Sequence, residues 1–336
     1  MKRIKIIVCI LACLSIMFTT GCKTTVEPVE TEGPDMSPVT VTILQGSSQG
    51  LWYIIGTGIA ESLNRSFEGS VVQLMPGTST SNSIRLGKNE AEFGLTHTNT
   101  SFEAYNGIGQ FEEKHEALRG IAVMYPSMAQ FIVSDNISLK TFDEFVENKV
   151  KLNISIGSPG SGSYFQFERM LEGYGLTIAD VEAWGCKVNI KGFGDIVEMF
   201  QSGALNASLV TTSAPSNEIV QIGTNNKIHM VSFNEEILAA MCDKYGYTMI
   251  DISSDAYNFM QEDVTTCATY TMLGVSSSVD DATAYKMAKS LVENIAYLQT
   301  VHSAIKNISA ESLLVGMKIP FHPGAEKYYR EAGLIN

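Results

Sequence analysis

Basic charge is scarce in this chain: Lys and Arg number 23 against 36 Asp and Glu, a formal net charge of −13 at pH 7. No basic stripe interleaved with aromatics runs along it, so the phosphate-tracking surface that nucleic acid requires is not expected. Histidine and cysteine are also few, five and six, and neither CxxC nor HExxH occurs. A structural or catalytic metal therefore has little sequence support, and no cofactor is expected. Beyond the first twenty residues no uncharged apolar run reaches the roughly 20 residues of a spanning helix, so the chain is not expected to be integral to a membrane.

What the N-terminus does have is an order of features. Lys2, Arg3 and Lys5 precede an uncharged run over 6–18, followed by Thr19, Thr20, Gly21 and Cys22. That order predicts a secretory signal over 1–21. Gly21-Cys22 resembles a bacterial lipobox, with Thr19 where that pattern prefers Leu, so Cys22 is expected to carry a lipid that anchors the protein outside the cytoplasm. The alternative is ordinary cleavage nearby, leaving no anchor. Residues 22–38, rich in Thr, Pro and Glu without apolar periodicity, read as a flexible tether. Cys9 and Cys13 leave with the signal. Cys186, Cys242 and Cys267 remain, too few for a disulfide framework, with a single bridge among them left open.

From residue 39 onward, short β-rich runs alternate with helix-patterned ones. Runs at 39–44, 71–75 and 93–96 flank helical patterns at 52–67 and 81–88, a βαβαβ order. The same order returns with 153–156, 163–172, 188–191, 195–201 and 207–210. In each copy a residue tolerant of positive φ, Asn89 or Gly203, ends a helix before an apolar strand. Each strand is expected to lead into a polar loop, Thr96-His97-Thr98-Asn99 in the first copy and Thr211-Thr212-Ser213-Ala214-Pro215 in the second. Ligands of open α/β sheets bind beyond strand C-terminal ends, so two such sheets facing each other predict one site between them. Apolar strands near 130–133 and 266–274 are the hinge candidates. A long amphipathic helix is expected over 280–299 and a short one from Pro323 to about Arg330.

Two loops could carry chemistry. Gly46-Ser47-Ser48-Gln49-Gly50 lies between the first strand and first helix, where hydroxyls and free N–H groups at a helix N-terminus attract anions; a plain capped turn is the bland reading. Trp52 and Tyr53 either wall a ligand or anchor the helix to its core. The same loop matches G-x-S-x-G, with Ser48 as nucleophile and His302 or His322 as base, but the elbow of that hydrolase fold follows several strands and this loop follows the first. Gly157-Ser158-Pro159-Gly160-Ser161-Gly162-Ser163 forms a second anion cradle, without the Gly-Lys-Ser/Thr ending of a P-loop. Arg85 and Arg169 are the cations nearest the cradles in sequence, or solvated helix residues.

Together, the opening strand and loop over 45–56, the segments 82–95, 156–163 and 203–215, and the ending His322-Pro323-Gly324-Ala325-Glu326-Lys327-Tyr328-Tyr329-Arg330-Glu331 resemble the TAXI family. These are the solute receptors of one branch of the tripartite ATP-independent periplasmic (TRAP) transporters. Asn89 stands for that family's usual Gly, Glu92 and Asn206 for its usual Asp residues, and His97-Thr98 for its frequent Gln-Ser. The resemblance implies an α/β, two-domain periplasmic-binding-protein type II-like fold with the ligand cleft between the domains. Domain I would comprise 39–131 and 270–336, and domain II 132–269. It implies a monomeric receptor, not an enzyme, that captures glutamate, another amino acid, a dicarboxylate or an oxoacid by hinged closure and hands it to a TRAP permease in the membrane. Ser47, Ser48, Gln49, Tyr53, Thr78, Ser79, His97 and Thr98 would contact ligand from domain I, and Ser161, Gly162, Ser163, Thr211 and Thr212 from domain II. His97 either pairs with a carboxylate or is a capped surface histidine. A serine hydrolase built on the Gly46-Ser48-Gly50 elbow and a ligand sensor without transport are the alternatives.

Overall fold

The computed structural model describes residues 35–46, 51–157, 159, 161–190 and 193–336. The signal over 1–21, Cys22, the tether up to residue 34, and Ser47, Ser48 and Gln49 lie outside the described residues.

The first half opens with β1 (Thr40–Gln45), α1 (Leu51–Ser66), β2 (Val71–Pro76), α2 (Ser79–Gly87), β3 (Phe93–His97) and α3 (Thr98–Asn106). A long strand, β4 (Leu118–Ser134), then leads to α4 (Phe142–Glu147), β5 (Asn153–Ser155), α5 (Gly162–Gly173), α6 (Ile178–Ala183) and β6 (Lys187–Asn189). The middle of the chain continues with α7 (Phe193–Gln201), β7 (Ala207–Thr212), α8 (Asn217–Asn225), β8 (Ile228–Met230), α9 (Glu235–Tyr245) and β9 (Thr248–Ile252). A second long strand, β10 (Val264–Ser276), returns to the first half, which α10 (Asp281–Glu293), α11 (Ile295–Val301) and α12 (Pro323–Glu331) complete.

Strand order β2-β1-β3-β10-β4-β7-β5-β6 has an internal symmetry. In the first half β1 pairs parallel with β2 and β3, and β10 runs antiparallel to β3. In the second, β5 pairs parallel with β6 and β7, and β4 runs antiparallel to β7. Each half thus takes its antiparallel strand from the connection to the other. β4 pairs with β10 from Leu118 to Met128 and with β7 from Met128 to Val133, so the change of partner falls at Met128.

Apolar residues gather on both faces of each sheet half. In the first, Ile43, Ile55, Ile59, Leu95, Leu291 and Tyr329 fill one face, and Leu44, Leu86, Ala104 and Met272 the other. In the second, Phe131, Phe142, Phe145, Phe167 and Leu209 oppose Ile132, Ile196, Phe200, Val210 and Ile219. Strands buried on both faces read as continuous apolar runs, which is why they were visible in the sequence.

Several expectations are corrected. The 96–99 segment is no loop: β3 runs through His97 and α3 starts at Thr98, with Gly107 at φ 65 ending that helix. The helix expected over 280–299 breaks at Asn294, whose amide donates to Ser62 O at 3.3 Å, Ser66 Oγ at 2.9 Å and Ser290 O at 2.8 Å, tying the break to α1. The three described cysteines are free thiols. Arg169 is not solvated: its side chain is 6 % exposed and ion-paired. Among the described residues no helix is long and apolar enough to cross a membrane.

Candidate functional site

A cavity of about 430 Å³ lies beyond the C-terminal ends of the parallel strands of both halves, lined by Trp52, Thr78, Ser79, His97, Asn99, Thr100, Ser161, Gly162, Phe165, Tyr247 and Thr269 among others. A wider hollow of about 510 Å³ beside β8 sits at the opposite ends of the strands, and its His229 is engaged by Asp135 Oδ1 and Leu139 O. The placement rule for open α/β sheets selects the first.

Three helices of the site begin at the cavity, each for a local reason. Thr78 caps α2 by accepting from Ser81 N at 3.2 Å, while Ser81 Oγ accepts from Thr78 N at 2.9 Å, a closed capping box. Ser161 caps α5 by accepting from Tyr164 N at 3.3 Å. His97 holds the same position before α3 but offers no side-chain cap, and the Asn99 N–H of the first turn donates instead to Thr269 Oγ1 at 3.4 Å.

The strand ends are locked to these helices by neutral hydroxyls and amides. Ser79 Oγ accepts from His97 N at 3.0 Å and meets Thr96 Oγ1 at 3.0 Å, which Ser83 Oγ approaches at 2.7 Å. Asn82, fully buried, donates to Leu95 O at 2.8 Å and Gln45 O at 3.3 Å, joining α2 to β3 and β1. A methyl group on Gly77 would stand 2.0 Å from Asn82 Oδ1, so the turn into α2 has room for glycine alone. On the other side Ser163 Oγ accepts from Thr211 N at 2.8 Å, and Thr211 Oγ1 donates to Gln166 Oε1.

The sequence-derived residues therefore divide. Thr78, Ser79, His97, Ser161 and Gly162 line the cavity. Thr98 is turned away, its hydroxyl accepting from Tyr270 N at 3.1 Å, and Ser163, Thr211 and Thr212 fasten α5 and β4 to β7, with Thr212 O accepting from Gln130 Nε2 at 3.2 Å. Tyr53 is 41 % exposed and does not line the cavity, because one helical residue turns it about 100° from Trp52. Trp52 does line it: Nε1 donates to Thr271 Oγ1 at 3.0 Å and the ring lies 4.9 Å from that of His97. Asn99 went unnoticed as a contact within a segment read as loop, and Thr100 just beyond it. Phe165, Tyr247 and Thr269 had no local signal, since only the topology brings them here.

No described Asp, Glu, Lys or Arg lines the cavity. Burial lowers the pKa of His97 to about 4, so its imidazole is neutral near pH 7, and its ring nitrogens have no hydrogen-bond partner among the described residues. Behind the wall, Arg169 Nη1 donates to Tyr247 OH at 2.7 Å and Nη2 lies 2.7 Å from Glu103 Oε1. Burial pushes Glu103 up to about 7 against the opposing pull of Arg169. The candidate triad histidines have structural duties: His302 Nδ1 accepts from Ala304 N at 3.0 Å, and His322 Nδ1 accepts from Gly324 N at 3.2 Å while its Nε2 meets Val279 O at 3.0 Å.

Residues 43–333 match the model of the NMT1-like family. The chain belongs to that family. Among solved structures, this NMT1-like protein is similar to MatC of Rhodopseudomonas palustris with bound malate, at 12% identity over 88% of this chain and 99% of that one, TM-score 0.51. It is also similar to the periplasmic binding protein BugD, at 13% identity over 89% of this chain and 98% of that one, TM-score 0.50. At such identities the likeness is one of fold, and the fold is that of periplasmic binding proteins, α/β with a ligand cleft.

Proposed function

We propose that this NMT1-like protein is an extracytoplasmic solute receptor of the TAXI kind. It captures a small carboxylate in the cavity between α2, α3 and α5 and delivers it to a TRAP-type permease, held at the membrane by lipid on Cys22. The observation that carries the reading is the convergence of three helix N-termini, from both halves of the chain, on one cavity. Each terminus presents backbone N–H groups and the positive end of a helix dipole, a setting that favours an anion without a bound cation. The malate in the MatC structure belongs to the same chemical class.

In this reading 39–131 with 270–336 forms one domain and 132–269 the other, hinged on β4 and β10. Ligand bonded to both sides favours the shut state by its differential affinity, and no covalent bond is broken. A thermal-shift screen of the purified protein against amino acids, dicarboxylates and oxoacids tests it. At a ligand concentration of about 100 Kd, binding adds about 2.7 kcal/mol and raises Tm by a few degrees. No shift with any carboxylate would overturn the ligand class, and turnover of an ester or amide would overturn the receptor reading.

A further inference from the structure

Two polar side chains at the start of α3 narrow the ligand. Asn99, 6 % exposed, lines the cavity and uses its Oδ1 to accept from Thr269 Oγ1 at 2.5 Å, which leaves Nδ2 with no partner among the described residues. Thr100, 7 % exposed, lines the same wall, and its hydroxyl likewise has no partner among them. Both stand in the first turn of α3, the one of the three helices whose cap residue makes no side-chain cap, its Asn99 N–H being taken by Thr269 Oγ1 at 3.4 Å. Both donors are open to the cavity and not sealed behind it, so they are available to an anionic ligand oxygen.

The opposite pole is missing. No described acid lines the cavity. Glu103, the buried carboxylate of α3, is turned to Arg169 and does not line the cavity. An ammonium group brought here would lose its water without gaining a counter-charge. A ring face could hold a cation, but Trp52, the best ring for it, packs against His97 at 4.9 Å.

We propose that the cavity selects a carboxylate without an ammonium group, an oxo-, hydroxy- or simple carboxylic acid over the corresponding amino acid, through the Asn99 amide and Thr100 hydroxyl in the first turn of α3. This rests on the reading of the cavity as the solute site.

Titration calorimetry of the purified full chain with matched probes separates the outcomes: 2-oxoglutarate and L-glutamate, pyruvate and L-alanine, 4-methyl-2-oxopentanoate and L-leucine. Within the pair whose carbon chain fits, the oxoacid is expected to bind more tightly by at least about tenfold. An amino acid that binds as well as its oxoacid overturns the selectivity and leaves the carboxylate receptor standing. Silence of every probe overturns both. Asn99→Asp keeps the acceptor for Thr269 but puts negative charge where Nδ2 was. It is expected to weaken the oxoacid by about thirtyfold or more and to narrow its lead over the amino acid. Unchanged oxoacid affinity in Asn99→Asp, with an unchanged melting temperature, would place the anion elsewhere and overturn the assignment.

Discussion

Glu103 of α3 and Arg169 of α5 meet at 2.7 Å, exposed by 0 % and 6 %, and so join the two helices whose N-termini face each other across the cavity. The guanidinium also lies 4.1 Å from the centre of the Tyr245 ring and 5.1 Å from that of Phe165. Removing one partner leaves an uncompensated buried charge, whereas removing both leaves an apolar contact. Arg169→Met is therefore expected to cost about 3–5 kcal/mol in urea denaturation, and Glu103→Leu combined with it to cost markedly less than the sum of the single changes. Additive losses would mean that the two side chains do not act as a pair.

The same carboxylate and the half-buried imidazole of His97 give opposite pH dependences. Glu103 is raised from 4.5 to about 7, chiefly by burial, so between those values the native state keeps a proton the unfolded chain has released, and its contribution is lost as pH rises. His97 is lowered from 6.5 to about 4 by burial, so across that range the unfolded chain takes up a proton the native state refuses, and stability is lost as pH falls. Each effect is worth at most about 3 kcal/mol, from about 1.4 kcal/mol per pH unit, and the two oppose between about 4.5 and 6.5. Stability curves from pH 4 to 8 should show Glu103→Gln rising more steeply with pH than the wild type, and His97→Gln falling relative to it. Parallel curves for all three proteins would mean that neither group titrates as burial dictates.

Much of this fold was legible because its signals are local. The βαβαβ series, its repetition, and the positive-φ residues Asn89 and Gly203 that end helices before strands depend on apolar periodicity and turn chemistry alone. The ending from His322 to Gly324 has one local cause, the capping of α12 by His322, and one tertiary cause, since a methyl group on Gly324 would meet the carbonyl of Asp281 at 2.1 Å. The cavity lining was legible where a residue ends or follows a parallel strand, as with Thr78, His97 and Ser161. It was hidden where sequence distance intervenes, because Thr269 reaches Asn99 across 170 residues. The start of α3 at Thr98 was missed because His97 lacks a capping side chain of the usual kind.

Gly77 offers a test of how the α2 terminus is held. Its added methyl group would collide with Asn82 Oδ1, and Asn82 can yield only by giving up its bonds to Leu95 O and Gln45 O. Gly77→Ala should destabilise by about 1–3 kcal/mol, as overpacking does, and should weaken carboxylate binding by moving Thr78 and Ser79. In an Asn82→Ala background the obstacle is gone, so the further cost of Gly77→Ala should fall to about 0.5 kcal/mol or less. An undiminished cost there would point to backbone conformation and away from the Asn82 contact.

The two tryptophans give a direct readout of where the solute lies. Trp52 lines the cavity between His97 and Thr271, whereas Trp184 packs against Phe145 and the second core and takes no part in the cavity. A carboxylate entering the cavity changes the polarity around the Trp52 indole and leaves that of Trp184 alone. Intrinsic fluorescence should therefore respond to a bound oxoacid in Trp184→Phe and lose that response in Trp52→Phe. Trp52→Phe also forfeits the hydrogen bond to Thr271, a neutral bond worth about 1 kcal/mol, so the variant should stay folded and its silence be read as loss of the probe. Calorimetry on the same two variants separates loss of signal from loss of binding. If Trp52→Phe keeps the full fluorescence response while Trp184→Phe loses it, the solute sits in the second core's neighbourhood and the cavity between α2, α3 and α5 is not its site.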